Sequence, residues 1–296
     1  MRVLVYGAGH FGRAFARTFA LWPESFNDIV ITDQDVTRYR GLPPGIRFSN
    51  QPLHEAYDVV VLTASAVPAE ERAALAKTGA PIGEFWRLER RYNLGLFKTL
   101  SPWLRDNPWR LLILCTNPVH EWANALHQMF PDRAIAGFGT AFDEKRVRFL
   151  TAAMFAEREC QVLRDLRVVG AHGDILSLSG GKIPKHVSDA AVWMSNALSV
   201  AFVNAPPDVA ELWWSQTAIE PLVKGLAGHE SRTHLIVPLT YRGTCAATGV
   251  DVSVNGLDIR VLLPEHLSDR EQEDFVAQLG MLRMTGTAWL HELNKT

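Results

Sequence analysis

The sequence predicts an α/β protein: a Rossmann-type doubly wound parallel sheet followed by a smaller α+β half. Two observations carry this. Short runs rich in valine, isoleucine and leucine at residues 2–6, 28–33, 58–63, 110–115 and 134–137 alternate with helix-competent segments such as 93–106 and 121–129. Runs that are apolar throughout, not alternating, mark strands buried on both faces, as in a parallel sheet covered by helices. The first run then leads directly into Gly7-Ala8-Gly9-His10-Phe11-Gly12, and Phe11, Ala14, Phe15, Thr18 and Phe19 follow at helical spacing. Strand, glycine turn and helix in that order form a phosphate-binding turn.

Each glycine of the turn has its own task. Gly7 permits the tight bend, Gly9 lets the backbone approach a pyrophosphate, and Gly12 lets helix pack on strand. His10 and Phe11 open the helix whose N-terminus faces the anion. Asp33 ends the second strand, 21 positions after Gly12. A carboxylate there accepts from both ribose hydroxyls and repels a 2′-phosphate, so NAD is expected in preference to NADP. Thr63 and Ala64, where the third run ends, complete the expected cofactor contacts.

Composition narrows the partners. The 296 residues are 47% hydrophobic and 21% charged, with a formal charge of −2, so electrostatics give no reason to expect nucleic acid or an anionic membrane. Cys115, Cys160 and Cys245 are odd in number and lack a C-x-x-C spacing, which argues against a disulfide framework and against a metal site. No basic segment with an apolar core begins the chain, and no apolar run approaches about 18 residues. A cytoplasmic protein is expected. The texture changes after residue 140, where strand-like runs at 166–170, 235–239 and 259–263 indicate a smaller mixed sheet. Residues 268–293 read as a closing helix with Ser268 as N-cap and Glu271 completing a capping box. The expected division is therefore 1–140, binding NAD, and 141–296, binding substrate and performing catalysis.

The chemistry concentrates in Gly137-Phe138-Gly139-Thr140-Ala141-Phe142-Asp143-Glu144-Lys145-Arg146-Val147-Arg148 and in Gly170-Ala171-His172-Gly173-Asp174. On a helix Asp143 and Arg146 share a face, and a glycine-flanked His172 at a strand end can be brought against them. His172 is the candidate proton donor, Asp143 the group that holds its other ring N–H, and Arg146 a planar fork for a substrate carboxylate. Each has a structural alternative: a loop histidine bonded to backbone, a capping-type aspartate, an ordinary i,i+3 ion pair.

These motifs resemble the L-lactate/malate dehydrogenase family, whose G-T-x-L-D-x-x-R-x-R and G-x-H-G-D patterns are matched in order; Phe142 replaces the leucine. The resemblance implies an NAD-dependent oxidoreductase acting on an L-2-hydroxy acid or 2-oxo acid, and it allows a homodimer. It gives Asn117, in Asn117-Pro118-Val119, a role at both the substrate and the nicotinamide ribose. It gives Arg87 the role of a loop arginine that polarises the reacting carbonyl, with Arg90 or Arg91 as alternatives, and it places Ser215 or Thr217 at the wall of the substrate pocket. Two lengths depart from the family. Residues 66–80 are extra, and the specificity position carries neither Gln nor Arg but Ala80, Pro81 and Ile82. The stretch from Val36 to the strand at 58 is short, leaving a few residues around Arg38-Tyr39-Arg40 where the family has a long helix. An atypical, bulkier or less charged substrate is expected under Phe85 and Trp86. The alternatives are an ordinary malate or lactate dehydrogenase with a displaced specificity residue, and a non-catalytic NAD-binding homologue.

Overall fold

The computed structural model describes residues 1–155, 166–203, 218–263 and 267–295. Strands β1 (Arg2–Tyr6), β2 (Asp28–Thr32), β3 (Ile46–Ser49), β4 (Tyr57–Leu62), β5 (Trp109–Leu114) and β6 (Ala134–Gly137) lie parallel in the order β3-β2-β1-β4-β5-β6. That is the doubly wound order whose direction reverses beside β1, and ligands of such sheets bind at the carboxyl ends of the strands around the reversal. Alternate side chains leave each strand on opposite faces. Val3, Val5, Ile29, Ile31, Val59 and Val61 enter one core with Phe15 and Phe19 of α1 (His10–Ala20). Leu4, Val30, Val60, Leu62, Leu112 and Leu114 enter the other. Phe97 of α3 (Ile82–Asp106) and Trp122 of α4 (Val119–Met129) join them there. Strands apolar on both faces are stable only when helices cover both.

The same sheet runs on into the second half. β7 (Arg167–Ala171), β8 (Asp174–Leu178), β9 (Ser231–Tyr241), β10 (Thr244–Asn255) and β11 (Asp258–Val261) pair antiparallel, and β9 meets β6 at one bridge, Gly137 opposite Ile236. A β-carbon at Gly137 would stand 2.9 Å from Ile236 Cβ, so glycine is what lets the two halves join there. Helices α5 (Thr140–Phe155), α6 (Lys185–Val203), α7 (Glu220–Leu226) and α8 (Asp269–Leu293) accompany this half. The expected capping box is present: Ser268 Oγ accepts from Glu271 N–H, and Glu271 Oε2 accepts from Ser268 N–H at 2.9 Å. Glu271 Oε1 also accepts from Ser179 N–H at 2.7 Å, tying the end of β8 to α8.

The expected strands of the parallel half stand within a residue of their places, whereas β9 begins four residues before its expected run and β3, β8 and β10 were not expected. A further difference lies before residue 93. Residues 69–77 form a helix, α2 (Ala69–Lys77), and α3 begins at Ile82, eleven residues earlier than expected. Phe85, Glu89, Asn93 and Phe97 are buried at intervals of four, so the face that packs on the sheet extends back to Pro81, the N-cap. The expected loop around Arg87 is therefore helix. The shortened stretch after β2 is a 3-10 turn, Val36–Tyr39, followed by β3. Among the described residues no helix is long and apolar enough to cross a membrane, and no cluster of three or more His, Cys, Asp or Glu could hold a metal.

The glycine turn is sterically closed at two of its three glycines. Gly7 has φ +109°, and a β-carbon on Gly12 would stand 1.8 Å from Gly7 O. Because the obstacle is backbone, Gly12→Ala should destabilise the protein by about 3 kcal/mol or more. Urea unfolding followed by circular dichroism checks this; a loss under about 1 kcal/mol would show that the turn adjusts.

Candidate active site

The residues expected at a cofactor all stand where the parallel strands end. Gly7 follows β1, Asp33 follows β2, Thr63 and Ala64 follow β4, and Asn117 lies three residues beyond the end of β5. Gly9 is the N-cap of α1 and bonds through no side chain of its own. The nearest atom to a β-carbon built there is an Arg38 nitrogen at 4.0 Å, so this backbone stays open to a ligand while Gly7 and Gly12 are crowded by protein. Exposed His10 starts the helix, and Phe11 lies edge-on to Phe15 with ring centroids 5.3 Å apart. Asp33 Oδ2 accepts from Ala8 N–H at 2.7 Å and from Arg38 Nη1 at 3.2 Å, which points the carboxylate into the turn. Thr63 Oγ1 donates to Gly7 O at 2.8 Å and so ties β4 to the glycine turn.

The structure brings Asp143, Arg146 and His172 together. Asp143 lies in the first turn of α5 and is fully buried; His172 lies in the turn between β7 and β8. His172 Nδ1 is 2.6 Å from Asp143 Oδ2, and the same oxygen accepts from Gly173 N–H at 3.3 Å. Arg146 Nη1 lies 3.4 Å from Asp143 Oδ1 and donates to Ser195 O at 3.4 Å. Burial pushes the Asp143 carboxyl up, but the imidazole, Arg146 and the Gly173 N–H outweigh it and hold the group below the usual aspartate range. An ionised carboxylate accepts from Nδ1–H, which leaves Nε2 of a neutral ring as acceptor and of a charged ring as donor. Nε2 has no hydrogen-bond partner among the described residues. An Asp–His hydrogen-bonded pair buried to this degree, with one ring nitrogen left unbonded among the described residues, is equipped to move a proton to or from a bound molecule.

Three other expected residues fare differently. The backbone O of Asn117 accepts from Asn93 Nδ2 at 2.8 Å and from Trp122 Nε1 at 3.1 Å, and its own amide has no partner among the described residues. Arg87 is not brought to the pair: its side chain is 74% exposed on α3 and bonds Glu84 at 2.7 Å. Ser215, with Thr217, lies outside the described residues.

Sequence reading missed the polar hub beside the site. Asn93 Oδ1 accepts from Ala66 N–H at 2.8 Å, and its Nδ2 donates to Glu89 Oε2 at 2.8 Å as well as to Asn117 O. Glu89, held above the ordinary glutamate range by burial, accepts from Ser65 Oγ at 3.2 Å and pairs with Arg72 of α2. Both carboxylate oxygens of Glu121 accept from one edge of the Arg90 guanidinium, Nε and Nη2, and Oε2 also accepts from Trp289 Nε1 at 2.6 Å. The signal available was the set of acids at 89 and 121 within otherwise apolar helix faces. Only the fold shows which arginines meet them. Trp86 was expected over the substrate together with Phe85, but the two part company. Phe85 is buried in the interior, whereas the Trp86 ring lies against His172 with centroids 5.5 Å apart.

A 3-2-1-4-5-6 sheet with a buried Asp–His pair just after its last parallel strand defines a doubly wound, Rossmann-type protein. A malate dehydrogenase from Plasmodium falciparum superposes with a TM-score of 0.68 over 99% of this chain and 100% of its own, at 13% identity. A lactate dehydrogenase from a Medee basin deep-sea metagenome library gives 0.65 over 99% and 98%, at 14% identity. The Plasmodium falciparum enzyme in complex with NADH gives 0.64 over 99% and 100%, at 13% identity. By sequence, L-lactate dehydrogenases A and B of Hordeum vulgare are 27% identical over 211 and 212 residues, 66% of this chain in each case. The chain spans about half the length of these curated relatives, 51% and 53%. No protein-family model matches it. The fold is that of the malate and lactate dehydrogenases.

The Arg90–Glu121 pair braces α3 against α4 and α8, and Glu121 is only 2% exposed. Arg90→Met should cost about 2–3 kcal/mol, a little under the usual figure for a fully buried pair because Arg90 is one-third exposed. Burial raises the Glu121 carboxyl, but Arg90 and His120 outweigh it and bring it from 4.5 down to about 2. A depressed carboxyl stabilises fully above its unfolded value and loses that contribution as pH falls through the folded one. Stability of the parent should therefore fall more steeply than that of Glu121→Gln between about pH 4.5 and 2; parallel urea midpoints across that window would remove the pair from the account.

Proposed function

We propose that the chain is an NAD-dependent oxidoreductase that interconverts an L-2-hydroxy acid and a 2-oxo acid, with residues 1–140 holding the cofactor and 141–296 the substrate. The observation that carries this reading is the buried Asp143 carboxylate against His172 Nδ1, with Nε2 left unbonded. A bound nicotinamide would supply the hydride. Gly7, Gly9, His10, Phe11 and Gly12 would hold its pyrophosphate at the α1 N-terminus, Asp33 its adenosine ribose, and Thr63, Ala64 and Asn117 its nicotinamide end. The crowding at Gly7 and Gly12 and the openness at Gly9 fit that group.

The chain's own residues divide the remaining work. Charged His172 donates the Nε2 proton to the ketone oxygen in reduction and takes it back in oxidation. Asp143 fixes the ring's orientation and stabilises its positive charge, so the imidazolium costs less in a site shielded from water. Arg146, one turn along the same helix face, offers a planar fork to the carboxylate that every 2-oxo acid carries. Asn117, beyond the end of β5, presents an amide with no partner among the described residues. Carbonyl polarisation is not assigned to Arg87, whose guanidinium belongs to Glu84.

A screen of 2-oxo acids with NADH, followed by cofactor absorbance, tests the reading. Turnover of at least one is expected, and His172→Asn should lower it by about two to four orders of magnitude while leaving NADH affinity unchanged; a loss under tenfold would take His172 out of the mechanism. NADH should bind at least about tenfold tighter than NADPH, which is about 1.4 kcal/mol. Because Asp33 pairs with Arg38, Asp33→Asn should remove the repulsion, leave the cation in place, and bring the two affinities within about threefold. Equal affinities for the parent in fluorescence titration would contradict the NAD assignment.

A further inference from the structure

The substrate's side chain is legible from what covers His172, and this inference rests on the 2-oxo acid reading above. The residue of α3 whose ring reaches His172 is Trp86, at a centroid distance of 5.5 Å and an interplanar angle of 48°. The imidazole also lies against Gly139, where a β-carbon would stand 3.3 Å from His172 Cγ. Trp86 therefore sets an indole beside the imidazole that would meet the substrate.

The neighbouring cations are already committed. Arg72 pairs with Glu89, Arg87 with Glu84, and Arg90 with Glu121, while exposed Arg91 lies over the Tyr92 ring at 5.2 Å. Drawing Arg72 or Arg90 onto a ligand would strand a carboxylate that is 7% or 2% exposed. Removing the partner of a buried charge costs more than an exposed ion pair returns. A second substrate carboxylate would thus lose its water against the indole and draw neither Arg72 nor Arg90 to it, whereas an aromatic or branched apolar group would pack on that ring.

We propose that Trp86 is the specificity-determining residue of the site and that the substrate is a 2-oxo acid with an uncharged, apolar or aromatic side chain, not a 2-oxo diacid. The test compares kcat/KM for phenylpyruvate, pyruvate and oxaloacetate with NADH in the parent, Trp86→Phe and Trp86→Arg. The parent should favour phenylpyruvate over oxaloacetate by about a hundredfold. Trp86→Phe should keep that ratio within about threefold, and Trp86→Arg, by supplying a cation, should lower it at least about tenfold. Should Trp86→Arg not fold, Trp86→Ser replaces it, with at least about a tenfold loss for phenylpyruvate and little change for pyruvate. A parent that prefers oxaloacetate overturns this inference and leaves 2-oxo acid reduction standing, as does a ratio indifferent to all three substitutions. A parent that reduces no 2-oxo acid overturns the underlying reading and this inference with it.

Discussion

The Asp143 carboxylate sets the terms for the rest of the catalytic half. A charge sealed from water must be compensated on every side, and here the compensation comes from a different element in each direction: the His172 ring and the Gly173 N–H from the β7–β8 turn, and Arg146 from one turn further along α5. The start of α5 and the β7–β8 hairpin are consequently fixed with respect to one another to within a hydrogen bond. His234 steadies the same helix from behind. It is buried, bonding Thr140 Oγ1 at 2.7 Å and Val168 O at 2.7 Å, so the residue that opens α5 is linked to the strand preceding the turn.

Apolar packing then ties this helix to the glycine turn. Phe142 lies edge-on to Phe138 at 5.6 Å, and Phe11 and Phe15 of α1 lie 5.8 and 5.3 Å from Phe138. The departure from leucine at position 142 is absorbed by this aromatic cluster, which spans the junction between the parallel and antiparallel parts of the sheet. The proposed hydride and proton donors would thus be held to one another through a single block of rigid rings, each edge-to-face pair contributing about 0.5–1.5 kcal/mol beyond its buried area.

The segment before α3 is charge-paired to that helix. The extra residues form a helix whose Arg72 bonds the buried Glu89, and Asn93 gathers the β4 loop, Glu89 and the Asn117 carbonyl into one network. An arginine released from a loop can travel to a ligand cheaply. One clasped by a buried glutamate cannot, because the glutamate must be compensated at every moment. The α2–α3 segment is thus charge-balanced within itself, and its contact with His172 is an indole.

Five of the six strands of the parallel half, the glycine turn, the capping box of α8 and the likeness to the malate and lactate dehydrogenases were legible in the sequence, because each rests on neighbours along the chain: apolar runs, glycines at fixed intervals, a serine three residues before a glutamate. The approach of His172 to Asp143 was legible only as an order of residues, and its 2.6 Å contact belongs to the fold. The environment of the arginines was not legible at all. Arg72, Arg87, Arg90 and Arg91 are chemically alike in the sequence, and only the three-dimensional arrangement decides which meets Glu89, which meets Glu121 and which faces water. Likewise Phe85 and Trp86 are adjacent residues of equal promise, separated by the 100° that a helix turns per residue, so that one enters the core and the other meets His172. Local propensity and pattern determine the elements; the pairing of charges across them depends on long-range packing, which the one-dimensional order does not contain.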